Sequence, residues 1–262
     1  MHLHSFVRVA VFAAALAGCT RDDPTAAVGS SLPPSSASPS RKVVRFTIEP
    51  SGTATFDMKA PLENIKGLVK ATSGDLELDP YDLAQSRGSV AIDMSTLETH
   101  TFGDDKEDAK QTEHARTWLE VGKENMKEQH RLARFAIRKI DAVSAKNVLQ
   151  LPGDSRTVTL TATGDFLLHG VKQEKTVELT LVFTFIGDNP TSVTVKSAKP
   201  MTVNLKAHDI KARGDKGEEL VAKTLELFGK KVAEEASLTF ELTAKPTGPA
   251  QASAPAGGTA AP

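Results

Sequence analysis

Apolar and polar residues alternate along most of this chain, and that period of two limits its fold more than any other feature. The longest run is Val177, Leu179, Leu181, Phe183 and Phe185. Shorter runs come before it: Val44, Phe46 and Ile48; Ala54, Phe56 and Met58; Leu76 and Leu78; Val90, Ile92 and Met94; Phe135 and Ile137; Val158, Leu160 and Ala162; Phe166 and Leu168. Val193 with Val195, Val203 with Leu205, and Leu238, Phe240 and Leu242 follow. A strand sends alternate side chains to opposite faces, so each run presents one apolar face. Pro50-Ser51-Gly52 and His169-Gly170 read as turns, with His169 expected at the surface, and Ser86-Arg87-Gly88 as a break between runs.

Two segments break this rhythm. From Lys106 to Gln129 the chain is charged and reads as helical, presenting Ala115, Trp118, Leu119 and Met126, with a break near Gly122. From Glu218 to Phe228, apolar residues recur at helical spacing and Gly229 stands at the stop position. About nine strands with short turns argue against βαβ units and for an all-β fold, one antiparallel barrel with one or two helical insertions. The inward faces carry Phe46, Ile48, Phe56, Met58, Leu76, Val90, Ile92, Met94, Phe135 and Ile137, and then Leu160, Phe166, Leu179, Leu181, Phe183, Leu205 and Phe240. Trp118 joins them from the helical segment. These residues either line an apolar tunnel or fill a core, and alternation does not separate the two.

The ends of the chain have a different composition. Residues 1–18, with Arg8 and the apolar stretch Val9 to Leu16, read as a lipoprotein signal peptide. Leu16-Ala17-Gly18-Cys19 matches a lipobox, so Cys19, the sole cysteine, is the expected lipidation site. Residues 19–42 are rich in Ser, Pro and Ala and read as a disordered tether; residues 246–262, mostly Ala, Gly and Pro, read as a disordered tail. Residues 43–245 are left for one domain. The expected location is the bacterial cell envelope, with the lipid anchor in the outer membrane facing the periplasm, because Thr20 and not aspartate follows the cysteine. The formal net charge of −1 supplies no basic field for nucleic acid.

Residues able to do chemistry are scattered. His100, His114, His130, His169 and His208 form no His-x-His or His-x-x-x-His pair, and no metal site is expected from them. Asp104, Asp105, Glu107 and Asp108 read as a solvated helix start. Ser51 and Ser95 lack a Gly-x-Ser-x-Gly setting, so no catalytic residue is assigned.

Several segments, in order, resemble the YceI-like family. They are Phe46 to Phe56, then Ile65-Lys66-Gly67 with Gly74-Asp75-Leu76-Glu77-Leu78-Asp79, then Ser89 to Thr99, and the segment Gly164-Asp165-Phe166-Leu167-Leu168-His169-Gly170-Val171-Lys172-Gln173. The chain departs from the family pattern at His114-Ala115-Arg116-Thr117-Trp118-Leu119-Glu120-Val121 and at Lys206-Ala207-His208-Asp209-Ile210, both expected near a barrel mouth. The resemblance implies a lipocalin-like barrel in which an apolar tunnel binds an amphiphilic polyisoprenoid, such as a polyprenyl quinone, without a cofactor and without catalysis. A ligand-free structural module with a filled barrel is the alternative. An enzyme acting on a lipid or quinone would instead bring Arg116, His114, His208 and Asp209 together at the mouth. A homodimer is compatible with either reading.

Overall fold

The computed structural model describes residues 43–59, 64–211 and 234–247, all within one compact unit of residues 41–262. The leader, Cys19, the tether up to residue 42, the helical reading of residues 218–228 and the tail beyond residue 247 lie outside the described residues. The strands are β1 (Val44–Ile48), β2 (Thr53–Lys59), β3 (Asn64–Val69), β4 (Thr72–Leu78), β5 (Arg87–Asp93) and β6 (Glu98–Thr99). After helices α1 (Asp105–Trp118) and α2 (Glu128–Arg131) come β7 (Leu132–Asp141), β8 (Ser155–Leu168), β9 (Val171–Ile186), β10 (Asn189–Ser197), β11 (Met201–Asn204) and β12 (Glu235–Pro246).

Eight of these strands close an antiparallel barrel in the order β1-β4-β5-β7-β8-β9-β10-β12, with β12 returning to β1. Closure pairs every strand on both sides and leaves the barrel no free edge. β12 is the seam. One of its edges pairs with β1 through Ala244–Pro246 and with β2 through Ser237–Glu241. Its other edge pairs with β10 through Glu241–Ala244 and with β11 through Glu235–Leu238.

This pairing corrects one turn. β1 and β2 run in the same direction along β12, so Pro50-Ser51-Gly52 does not reverse the chain. Ile48 pairs with Ala244 and Thr53 with Glu241, so residues 49–52 face only Leu242 and Thr243. The segment is a bulge in one long strand, a place where extra residues bend and twist a sheet. β3 and β4 are likewise collinear, pairing with β2 and β1 and broken at Ala71, whose φ is 59°. β5 and β6 are collinear too, broken by a 3-10 turn at Met94–Thr96. Broken strands explain why there are more strand segments than alternating runs. β2, β3 and β6 carry the sheet on past the eight-strand closure at one end. Gly67 of β3 lies where a Cβ would clash with the Phe56 ring and the Glu98 carbonyl.

The opposite end is plugged. Two 3-10 turns, Leu83–Gln85 and Val148–Gln150, insert Leu83 and Val148, both fully buried, among Phe46, Phe183 and Phe185. Arg156 is buried beside them, with its Nε donating to the Gly153 carbonyl at 2.8 Å and its guanidinium 4.0 Å from the centre of the Phe185 ring. Carbonyl and π contacts offset the desolvation of that charge.

Helix α1 caps the end that carries β2, β3 and β6. Its residues are mostly polar, so local chemistry and not apolar burial fixes its start. The Asp104 carboxylate accepts from the Lys106 and Glu107 amides at 3.0 Å each. Asp108, expected in solvent with its neighbours, is buried instead and accepts from the Thr101, Phe102 and Gly103 amides. It pins the β6–α1 loop to the helix. Met126, expected on the apolar face, is 45% exposed, because α1 has already ended at Trp118.

Candidate functional site: an apolar cavity along the barrel

Between the plugged end and α1 the barrel encloses a cavity of about 430 Å³. Its shape is read best along β12, where Ala236, Leu238, Phe240, Leu242 and Ala244 line it in alternation. At 3.3 Å per residue that row is roughly 26 Å long, so the space is elongated along the barrel. Leu78 and Leu83 lie at the floor. Ala115, Trp118 and Leu119 from α1 and its end close over it, joined by Leu205 and Ile210.

The polar residues on the wall are few: Thr72, Ser86 and Arg134. The Thr72 hydroxyl donates to the Glu49 carbonyl at 2.6 Å, and the Ser86 hydroxyl accepts from the Asp79 amide at 3.0 Å. Such a wall offers a guest dispersion contact and removal from water, with little hydrogen-bond selection.

Of the residues assigned from sequence to a tunnel, the structure places Ile48, Phe56, Met58, Leu76, Val90, Ile92 and Met94 on the cavity wall. Trp118, Phe135, Ile137, Leu160, Phe166, Leu179, Leu181, Leu205 and Phe240 are on it as well. Phe46 and Phe183 are not. At 0% and 1% exposure they are packed into the plug, where their rings fill space instead of bounding it. The wall also includes Val177, Val195, Leu238 and Leu242, which continue the alternating pattern, and Leu97, Leu119 and Ile210, which lie outside strands and carry no period-two signal.

The polar residues named for the mouth have separate tasks. Arg116 Nε donates to the Leu97 carbonyl at 2.9 Å and docks α1 on the barrel. His114 is exposed on α1, whereas His208 is fully buried with its Nδ1 3.2 Å from the Leu168 carbonyl. Burial holds the His208 imidazole below its ordinary pKa, with the hydrogen bonds to the Leu168 and Val171 backbone opposing that shift. His169 does sit in the β8–β9 turn, but at 4% exposure it is not at the surface. The segment between α1 and β7 folds over it and brings Glu120 and His130 against its ring.

In sequence, the YceI-like domain aligns with residues 38–244, which span the whole barrel. The chain belongs to the YceI-like family. Among curated proteins none matches the chain in sequence. Among solved structures, a polyisoprenoid-binding domain from Saccharophagus degradans, implicated in plant cell wall breakdown, is similar at a TM-score of 0.50 and 13% identity, covering 78% of this chain and 99% of that one. Burkholderia cenocepacia BcnA has a TM-score of 0.47 and 17% identity over 73% of this chain and 95% of its own. A Campylobacter jejuni YceI protein has a TM-score of 0.42 and 12% identity over 68% and 83%. At these identities the likeness to the Saccharophagus domain speaks to the fold alone. The YceI-like barrel here is the scaffold, and its interior is the candidate site.

Proposed function

We propose that this chain is a lipid-anchored protein of the bacterial cell envelope that holds an amphiphilic polyisoprenoid in its barrel for storage or transfer. The cavity carries the reading: it is elongated, about 430 Å³ in volume, and its Thr72 and Ser86 hydroxyls are already hydrogen-bonded. A flexible hydrocarbon chain gains about 25 cal/mol for each Å² of apolar surface it loses to such a wall. Met58 and Met94 on the wall adapt to an irregular guest. Membership of the YceI-like family, and a solved structure of similar fold described as polyisoprenoid-binding, support an isoprenoid over other hydrocarbons. The lipobox ending at Cys19 and the leader before it support export and anchoring, and Thr20 supports the outer membrane. Sequestration needs no catalytic group, and it works with one guest per chain in a monomer or a homodimer.

The test is native mass spectrometry of the full chain made in a bacterial periplasm, with denaturing lipid extraction of the same sample. A stoichiometric adduct whose mass matches an extracted isoprenoid supports the carrier. A ligand-free mass that stays unchanged after incubation with polyprenyl quinones sinks it and favours an interaction module without a guest.

A further inference from the structure

Beside the cavity mouth, and not part of its apolar wall, three side chains of metal-ligating type converge. Glu120 Oε2 is 2.9 Å from His130 Nδ1 and 3.2 Å from His169 Nε2. The three donor atoms all lie within 4.8 Å of one another. Donors on a tetrahedral zinc ion, with bonds of 2.0–2.1 Å, stand about 3.3 Å apart. We infer that Glu120, His130 and His169 form a site for a divalent transition-metal ion of the zinc class, which fastens the α1–β7 segment to the β8–β9 turn.

The surroundings are those of a built ligand set. His169 Nδ1 lies 3.0 Å from the His208 carbonyl, which can only accept, so the neutral ring carries its proton on Nδ1 and directs its Nε2 lone pair at the cluster. A backbone carbonyl holding the far nitrogen of a histidine is the usual outer partner of a metal ligand. The Glu120 and His169 side chains are 10% and 1% exposed, and His130 is 11% exposed. The two imidazole rings lie 3.9 Å apart, where two ring cations would repel and two neutral rings can share one ion. Two histidines with one carboxylate is a donor set that zinc and ferrous iron both accept. A shallow polar depression lined by Gln129, Asp209 and Lys211 adjoins the cluster, giving a further coordination position to water.

The backbone supports the same assignment. Among the described residues five non-glycine positions have positive φ, and three are here: Glu120 (54°), His169 (52°) and Asp209 (52°). Glu120 ends α1 in a Schellman arrangement, with its amide donating to the Thr117 carbonyl and that of Val121 to the Arg116 carbonyl. Glycine is the usual residue at that position. His169 and Gly170, with φ of 52° and 75°, form a two-residue hairpin turn in which asparagine is the favoured first residue. Backbone cost borne by residues with metal-binding side chains points to a site. Lys127 Nζ, 2.6 Å from Glu120 Oε1, is the competing cation, and its half-exposed side chain can leave.

The site is independent of what fills the barrel, yet two of its ligands, Glu120 and His169, are next in sequence to the cavity-wall residues Leu119 and Leu168. The experiment is calorimetric titration of the chelator-treated full chain with ZnCl2, repeated for Glu120→Gln, His130→Gln and Lys127→Met. One ion per chain is expected, with affinity falling at least about tenfold in the first two variants and not falling in Lys127→Met. Should a variant misfold, two measurements on the unmutated chain remain: the visible spectrum of the Co2+ form, expected without thiolate charge transfer from Cys19, and hydrogen exchange across residues 119–131, expected to slow with metal. Absence of one-to-one binding, or binding unchanged by both ligand substitutions, overturns the assignment and leaves an ion pair only. So does a Co2+ spectrum of thiolate type.

Discussion

Glu120 and His169 face each other across 3.2 Å, and both hold their backbones in the left-handed region, at φ of 54° and 52°. Each comes from an element that ends at the cavity wall: α1 on one side, the β8–β9 hairpin on the other. The polar cluster and the apolar cavity thus share a border while differing in chemistry.

Replacing Glu120 by glycine separates the cost of that backbone from its use. A non-glycine residue in the left-handed region costs about 1 kcal/mol or somewhat more. In chelator, Glu120→Gly is expected to melt no lower than the parent, while zinc no longer raises its melting temperature. A large loss of stability in the metal-free variant would show that the carboxylate is held for its ion pairs with Lys127, His130 and His169.

The plug and the cavity wall should respond differently to mutation. Phe183→Ala removes a fully packed ring and is expected to cost about 3–5 kcal/mol in denaturant unfolding, with or without lipid. Val195→Phe adds volume to the cavity wall. It is expected to leave the fold intact and to weaken isoprenoid affinity about tenfold, equivalent to about 1.4 kcal/mol, in a native mass spectrometry titration. Full occupancy in Val195→Phe would place the guest somewhere else.

Asp108 accepts three backbone amides from residues 101–103. Asp108→Ala strands those donors and is expected to cost roughly 2 kcal/mol. Hydrogen exchange should show the loss first at Thr101, Phe102 and Gly103. Uniform acceleration across the barrel, with no local excess there, would contradict a local pin.

Acid should loosen the start of β7. Burial opposes ionisation of Asp93, but hydrogen bonds from Arg131 and Ser95 outweigh it and hold the carboxyl below its ordinary value of 3.8. A group with a lowered folded pKa stabilises above its unfolded value and loses that contribution as pH falls through the folded one. Asp93→Asn is therefore expected to lower the melting temperature at neutral pH, with the gap to the parent closing below pH 3.8. A gap that persists at pH 2 would assign the effect to packing.

The barrel was legible in the sequence because the alternation of Val177 to Phe185 and its neighbours has only one simple explanation. Pro50-Ser51-Gly52 was not, since a reversal and a bulge use the same residues; only the shared partner β12 distinguishes them. The tunnel residues on strands followed from periodicity. Phe46 and Phe183 were indistinguishable from them until the 3-10 turns carrying Leu83 and Val148 were seen to plug that end. Glu120, His130 and His169 come from three segments with no shared spacing. The helical reading runs on to Gln129, so the place of Glu120 at the end of α1 shows only in the structure.

β12 is the seam of the barrel and also the last of the described strands. Its end pairs Pro246 with Phe46, near the domain's start. In time, then, this is a container that stays open until its final residues arrive. Before β12 docks, the inner faces of β1 and β10 are uncovered together and the pairing edges of both strands are bare. Contacts of such long sequence separation form slowly, and a chain held open this way is prone to aggregate. The same interval gives a hydrocarbon its widest approach to the interior, so filling and folding compete for one moment in the life of the chain.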